Sequence, residues 1–590
     1  MLHIEQAIAE KWPNLSSKPA YPLIVKMLKK LLHEDEINQF IETNRHLRGF
    51  AFLDQVLEHF EFSYQVNHSQ LNRIPADGKV IIVANHPIGS LDGLALLKLV
   101  RSVRPDVRIV ANDLLANIQP LQDLFLPLDN LNGNSHKAAF KAMLHALENE
   151  QAVIIFPAGE VSRIRPNGVK DGPWKSGFLK LARKSQAPVL PICIDARNSA
   201  LFYSLSTLYK PLGTLMLVQE MFNKKAQQIE FHIGKAISSK TLAASDIQGK
   251  RLANAFRKHL YRLGKPKKLK KKPFLPTMET IAHPIDRKAL RQSIINGQLL
   301  GETQDRKKIY LFDYDANSPV MHEIGRLREL TFRTVEEGTG KTIDLDHYDA
   351  LYQHLVLWDE EEWEIVGAYR LGRNYLESQK RNKTGAEIYC TSLFEFNDRL
   401  QQQLPQALEL GRSFVQPKYW GKRSLDYLWF GIGAYLQRHP EIKYMFGPVS
   451  LSNAYPQTAK ELIAGFYLQQ FGDFQSLATA RQPFNISPAS QAIAAEEFSG
   501  DYSNSLKKLN ALLALEGVKL PTLFKQYAEL CEDKGCRFID FNIDPLFSDC
   551  IDAFIFVEID KIKAKKRNRY MPDAAVEEPT NQPVPQSAVA

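Results

Sequence analysis

At 590 residues, 44% of them hydrophobic, the chain exceeds what one hydrophobic core supports, so two domains with extensions are expected. Its net charge of +9 admits nucleic acid, an anionic membrane or an acidic protein as partner. The basic clusters carry no interleaved aromatic residues and no nucleic-acid motif, which argues against the first. Five scattered cysteines, at 193, 390, 531, 536 and 550, suit reduced cytosolic thiols, and with no second pair beside Cys531 and Cys536 no zinc or other metal site is expected. No apolar run reaches spanning length, and the start Met1-Leu2-His3-Ile4-Glu5-Gln6 lacks the features of a signal peptide. The expectation is a cytoplasmic protein held peripherally at a membrane.

Residues 1–66 form a helical lead-in, with apolar residues at helical spacing from Ile24 to Leu32 and from Phe50 to Phe60. Between 67 and 264, buried strands at 79–84, 107–112, 152–156, 188–194 and 228–233 alternate with helices, the order of an α/β domain with a mostly parallel sheet. The first of these strands runs into Asn85-His86-Pro87-Ile88-Gly89-Ser90-Leu91-Asp92-Gly93, and a helix follows from Leu94. An imidazole takes a proton from a hydroxyl when a carboxylate fixes its tautomer and stabilises the imidazolium. His86 and Asp92 suit base and orienting partner, with Gly89 and Gly93 permitting the turn. The plainer reading of the same residues is a helix-capping aspartate beside a loop histidine.

This stretch resembles the signature of the glycerolipid (lysophospholipid) acyltransferases, in the branch labelled haemolysin-like, which includes ornithine-lipid O-acyltransferases. Its spacer between His86 and Asp92 is five residues where the family has four. Phe156-Pro157-Ala158-Gly159-Glu160 resembles the family's Phe-Pro-Glu-Gly-Thr-Arg block, and Ala187-Pro188-Val189-Leu190-Pro191-Ile192 its closing apolar block. In phosphate-accepting relatives that second block supplies a glutamate for the glycerol and an arginine for the phosphate. Here those places hold Ala158 and Val161, while Glu160 and Arg163 are each displaced by two. The resemblance therefore implies a substrate-binding role for Glu160 and Arg163, with Arg163 replacing the missing guanidinium or the acceptor carrying no phosphate; the second is favoured.

A basic stretch from Lys265 to Pro273 opens a linker over 265–304, with a helix near 282–300. This stretch and Lys561–Arg569 read as solvated segments or as contacts to anionic headgroups, at roughly 1 kcal/mol per basic residue. A second domain over 305–485 begins with a strand at 308–312 and a helix at 322–333. An acidic loop with Asp344, Asp346 and Asp349 follows, then apolar strands at 354–359 and 364–371 and a strand Ala407–Val415 that carries polar residues. Aspartates and buried arginines are complementary, so one polar network closing a cleft is reasonable; the alternative is a surface loop beside an edge strand. The spacing Asp344, Asp346, Asp349, Arg370, Glu409 and Arg412 resembles the GNAT-fold acyl-homoserine-lactone synthases, and Glu409-Leu410-Gly411-Arg412-Ser413 is closer to ornithine N-acyltransferases. The resemblance makes Glu409 a catalytic carboxylate and the aspartates, Arg370 and Arg412 a substrate-side network. Gln416–Ser424 has one glycine where GNAT enzymes wrap coenzyme A pyrophosphate, which favours an acyl-carrier-protein thioester, with Lys418, Lys422 and Arg423 meeting the acidic carrier. Residues 486–569 read as an extension with no assignable chemistry and 570–590 as a disordered tail.

Together the resemblances imply a fused aminolipid (ornithine-lipid) synthase without a bound cofactor. The second domain would N-acylate an amino acid, ornithine being favoured, with a 3-hydroxyacyl thioester, and the first would O-acylate the lyso-lipid formed. The alternatives are a lysophospholipid O-acyltransferase with a non-catalytic second domain, and a haemolysin-like membrane-interaction protein.

Overall fold

The computed structural model describes residue 5 and residues 21–112, 118–128, 135–166, 168–208, 217–222, 227–265, 275–373, 388–472 and 475–572. Residues 113–115 and 129, most of the basic 265–273 stretch and the tail beyond 572 lie outside them. The chain divides into two units, Met1–His283 and Pro284–Ala590.

The first unit contains β1 (Ser63–Val66), β2 (Val80–Ala84), β3 (Val107–Asn112), β4 (Phe125–Leu128), β5 (Ala152–Ile155), β6 (Arg163–Arg165), β7 (Gly168–Lys170), β8 (Val189–Asp195) and β9 (Gln228–Ile233). Seven of them form one sheet in the order β1-β9-β8-β2-β5-β3-β4, and β6 and β7 pair as a separate hairpin. Every pairing in the large sheet is parallel except β8 with β9. The continuous apolar run of β2 follows from burial on both faces. Val80, Ile82 and Ala84 join a core with Phe52, Leu53 and Leu57 of the lead-in helix Gly49–His59. Ile81 and Val83 join a second core with Phe178 and Phe256, from helices Gly177–Ser185 and Gly249–Leu263. Helices thus cover both faces, and β2, β5 and β8 open side by side at their carboxyl ends, where such sheets bind ligands.

The second unit contains β10 (Gln298–Glu302), β11 (Lys307–Phe312), β12 (Gln353–Asp359), β13 (Glu364–Gly372), β14 (Phe394–Phe396), β15 (Ala407–Val415), β16 (Tyr444–Leu451), β17 (Ala478–Ala480), β18 (Cys536–Asp544) and β19 (Cys550–Glu558). Eight of these form a sheet in the order β10-β11-β12-β13-β15-β16-β19-β18. Its one parallel pair, β15 with β16, runs only from Ala407–Glu409 against Tyr444–Phe446, after which the strands part. A Cβ on Gly447 would lie 2.0 Å from the Leu410 carbonyl oxygen, so the approach at the fork requires glycine. On its other edge β15 shifts register against β13 between Ala368 and Arg370, and Arg412 there has φ +48°. Such a bulge re-aims a side chain.

Two expectations are corrected here. The sheet does not end by 485: β18 and β19, expected in an extension, are its last two strands, and β10 lies in the expected linker. Four helices, Gln457–Phe471, Pro488–Glu497, Tyr502–Leu515 and Thr522–Ala528, separate β16 from its partner β19, so that pairing has no local signal. The second basic cluster is part of the folded unit rather than a loose segment, with Lys565 and Arg569 still exposed on it. It ends in the helix Ala564–Tyr570, where Tyr570 is buried beside Trp429, with ring centroids 5.8 Å apart, and Arg569 Nε meets Asp426 at 3.1 Å. Among the described residues no helix is long and apolar enough to cross a membrane.

Candidate active sites

In the first unit β2 ends at Ala84, but its pairing with β8 continues through a side chain. Asn85 Nδ2 donates to the Ile194 carbonyl at 2.9 Å and Asn85 Oδ1 accepts from the Ile194 N–H at 2.8 Å. His86 therefore leaves the sheet from a fixed point. Its ring stacks on Phe156 just beyond β5, centroids 4.1 Å apart, and its Nδ1 meets Asp92 Oδ2 at 3.2 Å. Asp92 is fully buried and also accepts from the N–H groups of Ile88 at 3.0 Å, Gly89 at 3.1 Å and Gly93 at 2.9 Å. The capping and catalytic readings of this aspartate therefore coincide: it closes the first turn of helix Ser90–Arg101 and orients the imidazole. With Nδ1–H given to Asp92, Nε2 carries the lone pair and has no hydrogen-bond partner among the described residues. Burial opposes protonation of His86, but the Asp92 and Asp171 carboxylates outweigh it and raise its pKa above the usual histidine value.

Of the two glycines expected in the turn, one makes it and the other does not. Gly89 has φ +121° and makes the turn. Gly93 is helical, and a Cβ there would meet Ile109 at 3.4 Å and the Phe156 ring at 3.6 Å, ordinary contact distances, so the turn does not depend on it.

The second block passes directly beside the histidine. Ser162 N–H donates to the His86 carbonyl at 2.7 Å, and Ser162 Oγ donates to Asp171 Oδ1 at 2.5 Å. Glu160 and Arg163 flank this contact and face one another, Nε to Oε2 at 3.7 Å. Two supporting residues have no motif in the sequence. Asp171, fully buried, also accepts from His86 N–H at 3.3 Å and Trp174 Nε1 at 2.9 Å. Burial raises its pKa against those hydrogen bonds. Asn198 Nδ2 donates to the Pro87 and Ile88 carbonyls at 3.2 and 3.3 Å.

In the second unit the expected aspartates and arginines form one network. Arg370 Nη1 meets Asp346 Oδ1 at 2.9 Å and Asp349 Oδ1 at 3.5 Å, while Arg412 reaches Asp346 Oδ2 at 3.3 Å and Asp344 Oδ2 at 3.2 Å. Asp346 and Asp349 cap the short helix His347–Leu351 reciprocally. Arg328, on helix Pro319–Thr334 and fully buried, completes the set by binding Asp349 at 2.7 Å. Asp349 is held well below the usual carboxylate range: burial opposes this, but Arg328, Arg370 and their hydrogen bonds prevail. His354 beside them is pushed down to about 3, by burial and then by Arg328. Arg370 lies under the rings of Tyr352 and Tyr389, 4.8 and 5.2 Å from their centroids, and its Nε and Nη2 have no hydrogen-bond partner among the described residues.

Glu409 adjoins this network and accepts one hydrogen bond on each oxygen. Tyr352 OH donates to its Oε2, and Cys390 N–H donates to its Oε1 at 2.8 Å. Burial raises its pKa in spite of these bonds. The three basic residues after β15 stand apart from the cluster. Lys418 is bound by Glu362 at 3.0 Å and by Glu364, Lys422 lies over the Tyr419 ring, and Arg423 pairs with Asp426 at 3.5 Å. Among the described residues no three His, Cys, Asp or Glu side chains gather as metal ligands would.

A family model described as Acyltransferase matches residues 6–266, and one described as Acetyltransferase (GNAT) domain matches residues 327–430. The chain is 31% identical to the glycine N(alpha)-acyltransferase of Bacteroides thetaiotaomicron, over 50% of this chain and 90% of that protein. It is 34% identical to the lyso-glycine lipid O-acyltransferase of the same organism, over 42% of this chain and 91% of that one. To the L-ornithine N(alpha)-acyltransferase of Brucella abortus it is 37% identical, over 22% of this chain and 49% of the relative.

Proposed function

We propose, because the chain belongs to the amino-acid Nα-acyltransferases and the lyso-lipid O-acyltransferases, that it performs both acylations of aminolipid synthesis in one polypeptide. The second unit joins a 3-hydroxyacyl group from a thioester to the α-amine of glycine or ornithine. The first unit then acylates the 3-hydroxyl of that lyso-lipid. The observation that carries the reading is the His86–Asp92 pair with Nε2 left open, in a chain whose second unit gathers Asp344, Asp346, Asp349, Arg370 and Arg412.

In the first unit the acceptor hydroxyl gives its proton to His86 Nε2, and Asp92 stabilises the imidazolium that forms. The oxygen attacks the thioester carbonyl, the C–S bond breaks, and the proton passes to the departing thiolate. Glu160 and Arg163 line the acceptor's approach, and a carboxylate headgroup meets the guanidinium there as a phosphate would. In the second unit Arg370 and Arg412 hold the acidic loop, and Glu409 fixes Tyr352 and the Cys390 backbone. The donor is an acyl-carrier-protein thioester, favoured by the single glycine of the 416–424 loop, and the exposed Lys422 and half-exposed Arg423 face the carrier.

Attachment to the bilayer is peripheral. Leu23 and Met27, 64 and 66% exposed on helix Tyr21–Leu31, stand among Lys26, Lys29 and Lys30, the pattern of a helix lying at an anionic surface. The test is expression in a host without aminolipids, followed by mass spectrometry of the lipid extract. A two-chain glycine or ornithine lipid is expected; an acylated glycerophosphate with no aminolipid would overturn the reading.

A further inference from the structure

Glu409, expected as the catalytic carboxylate, already accepts one hydrogen bond on each oxygen, from Tyr352 and from Cys390. The same face of the sheet carries another carboxylate on the far side of the fork. Beyond Glu409 and Phe446, β15 and β16 part, and Ser450 lies further along β16 with Asp552 of β19 directly opposite it. Asp552 is 2% exposed; it accepts from Ser450 Oγ at 2.6 Å and more weakly from Cys550 Sγ at 3.8 Å, both at Oδ1. Its Oδ2 accepts no hydrogen bond among the described residues. Glu337, in the loop after helix Pro319–Thr334 and 9% exposed, feels the Asp552 charge, and its carboxylate likewise accepts none. Two neighbouring buried carboxylates with unfilled acceptor positions call for a donor-rich cation between them.

We propose that Asp552 and Glu337 form the seat of the acceptor's α-ammonium and that Asp552 removes the proton that frees the amine to attack. This rests on the N-acyltransferase reading of the second unit. The ammonium gives one proton to Asp552, and its nitrogen adds to the thioester carbonyl carbon. The C–S bond then breaks, the thiolate leaves with a second proton from the nitrogen, and Asp552 returns its proton to water. Glu337 holds the ammonium by hydrogen bonding before the transfer.

The surroundings are tuned for this. Burial lifts Asp552 to about 7, assisted by Asp544 and restrained by the Ser450 hydrogen bond and by Arg412 across the fork. Burial and the Asp552 charge lift Glu337 to about 8. The remaining titratable neighbours are Cys550 on the same strand, Tyr389 and Cys390 from the segment over the face, and Tyr455 near Glu337, all pushed upward by burial and so neutral near pH 7. A carboxylate near neutrality is matched to a proton transfer at working pH.

The experiment uses the full chain with a 3-hydroxyacyl thioester and glycine or ornithine as acceptor, and follows kcat/KM for N-acylation from pH 6 to 10. Asp552→Asn is expected to lower it at pH 7 by about 100-fold or more. The deficit should shrink as pH approaches the amine's own pKa, because the acceptor then arrives deprotonated. Glu337→Gln is expected to raise KM for the amino acid more than it lowers kcat. Ser450→Ala, which keeps the carboxylate, should move the acidic limb of the wild-type profile to higher pH. A deficit constant across pH, or an unmoved limb in Ser450→Ala, overturns this inference alone. A wild-type chain that acylates no amino acid overturns the underlying reading as well.

Discussion

Replacing Asp92 with asparagine probes the first site at a single atom. The aspartate accepts four hydrogen bonds, two on each oxygen: Ile88 N–H and His86 Nδ1 on Oδ2, Gly89 and Gly93 N–H on Oδ1. An asparagine NH2 in the Oδ1 place would confront two N–H donors; in the Oδ2 place it confronts only Ile88 and can donate to His86. The second orientation is preferred, and it forces the histidine proton onto Nε2, the nitrogen that must accept. The donor facing Ile88 costs about 1–3 kcal/mol of stability. The wrong tautomer and the lost charge lower O-acylation by roughly 10²–10⁴-fold. The assay supplies lyso-aminolipid and an acyl thioester and follows the two-chain product, with N-acylation by the same polypeptide as the internal control. With Asp92 gone the pKa of His86 falls, so the acidic limb of the residual activity moves to lower pH. Full O-acylation by Asp92→Asn, or an equal loss in both reactions, would refute the assignment.

Glu409→Gln places an amide nitrogen against either the Cys390 N–H or the Tyr352 hydroxyl, so N-acylation should fall about 10-fold or more while O-acylation of supplied lyso-lipid persists. Arg328→Ala leaves Asp349 and His354 buried without their shared partner and should cost about 3–5 kcal/mol, read as a lower second-unit melting temperature. Asp552 and Glu337 are raised above their unfolded values, so the folded state holds their protons longer than the unfolded chain does. Stability should therefore fall as pH rises from about 4 to about 8, and that slope should flatten in Glu337→Gln relative to the wild type. Binding to anionic vesicles should weaken in high salt and in a Leu23→Ser, Met27→Ser double variant, measured by co-sedimentation.

What the sequence displays of these sites depends on how far apart the partners lie along the chain. His86 and Asp92 are six residues apart between a strand and a helix, and both the pairing and the flanking elements are readable there. Asp171 meets the same histidine from 85 residues away, out of a loop whose proline, glycine and tryptophan suggest only a turn. In the second unit the aspartates and Arg370 show as charges in otherwise apolar strands or tight loops. Arg328 does not, because an arginine on an amphipathic helix ordinarily faces water. Asp552 was hidden twice over: its strand reads as a core segment, and its partner strand β16 lies 100 residues earlier.

The amide of Asn85 bears on how this family can vary. A sheet strand normally stops where its backbone pairing stops, and whatever follows drifts with the length of the next loop. Here a side chain extends the strand by one rung, Asp92 holds the Ile88 and Gly89 amides, and Asn198 holds the Pro87 and Ile88 carbonyls, so the turn is pinned along its length. A residue added to or removed from the spacer would break these bonds and shift the ring. The five-residue spacer is thus part of what sets the distance between His86 and Asp92, and relatives with a four-residue spacer must hold the same turn by a different set of bonds.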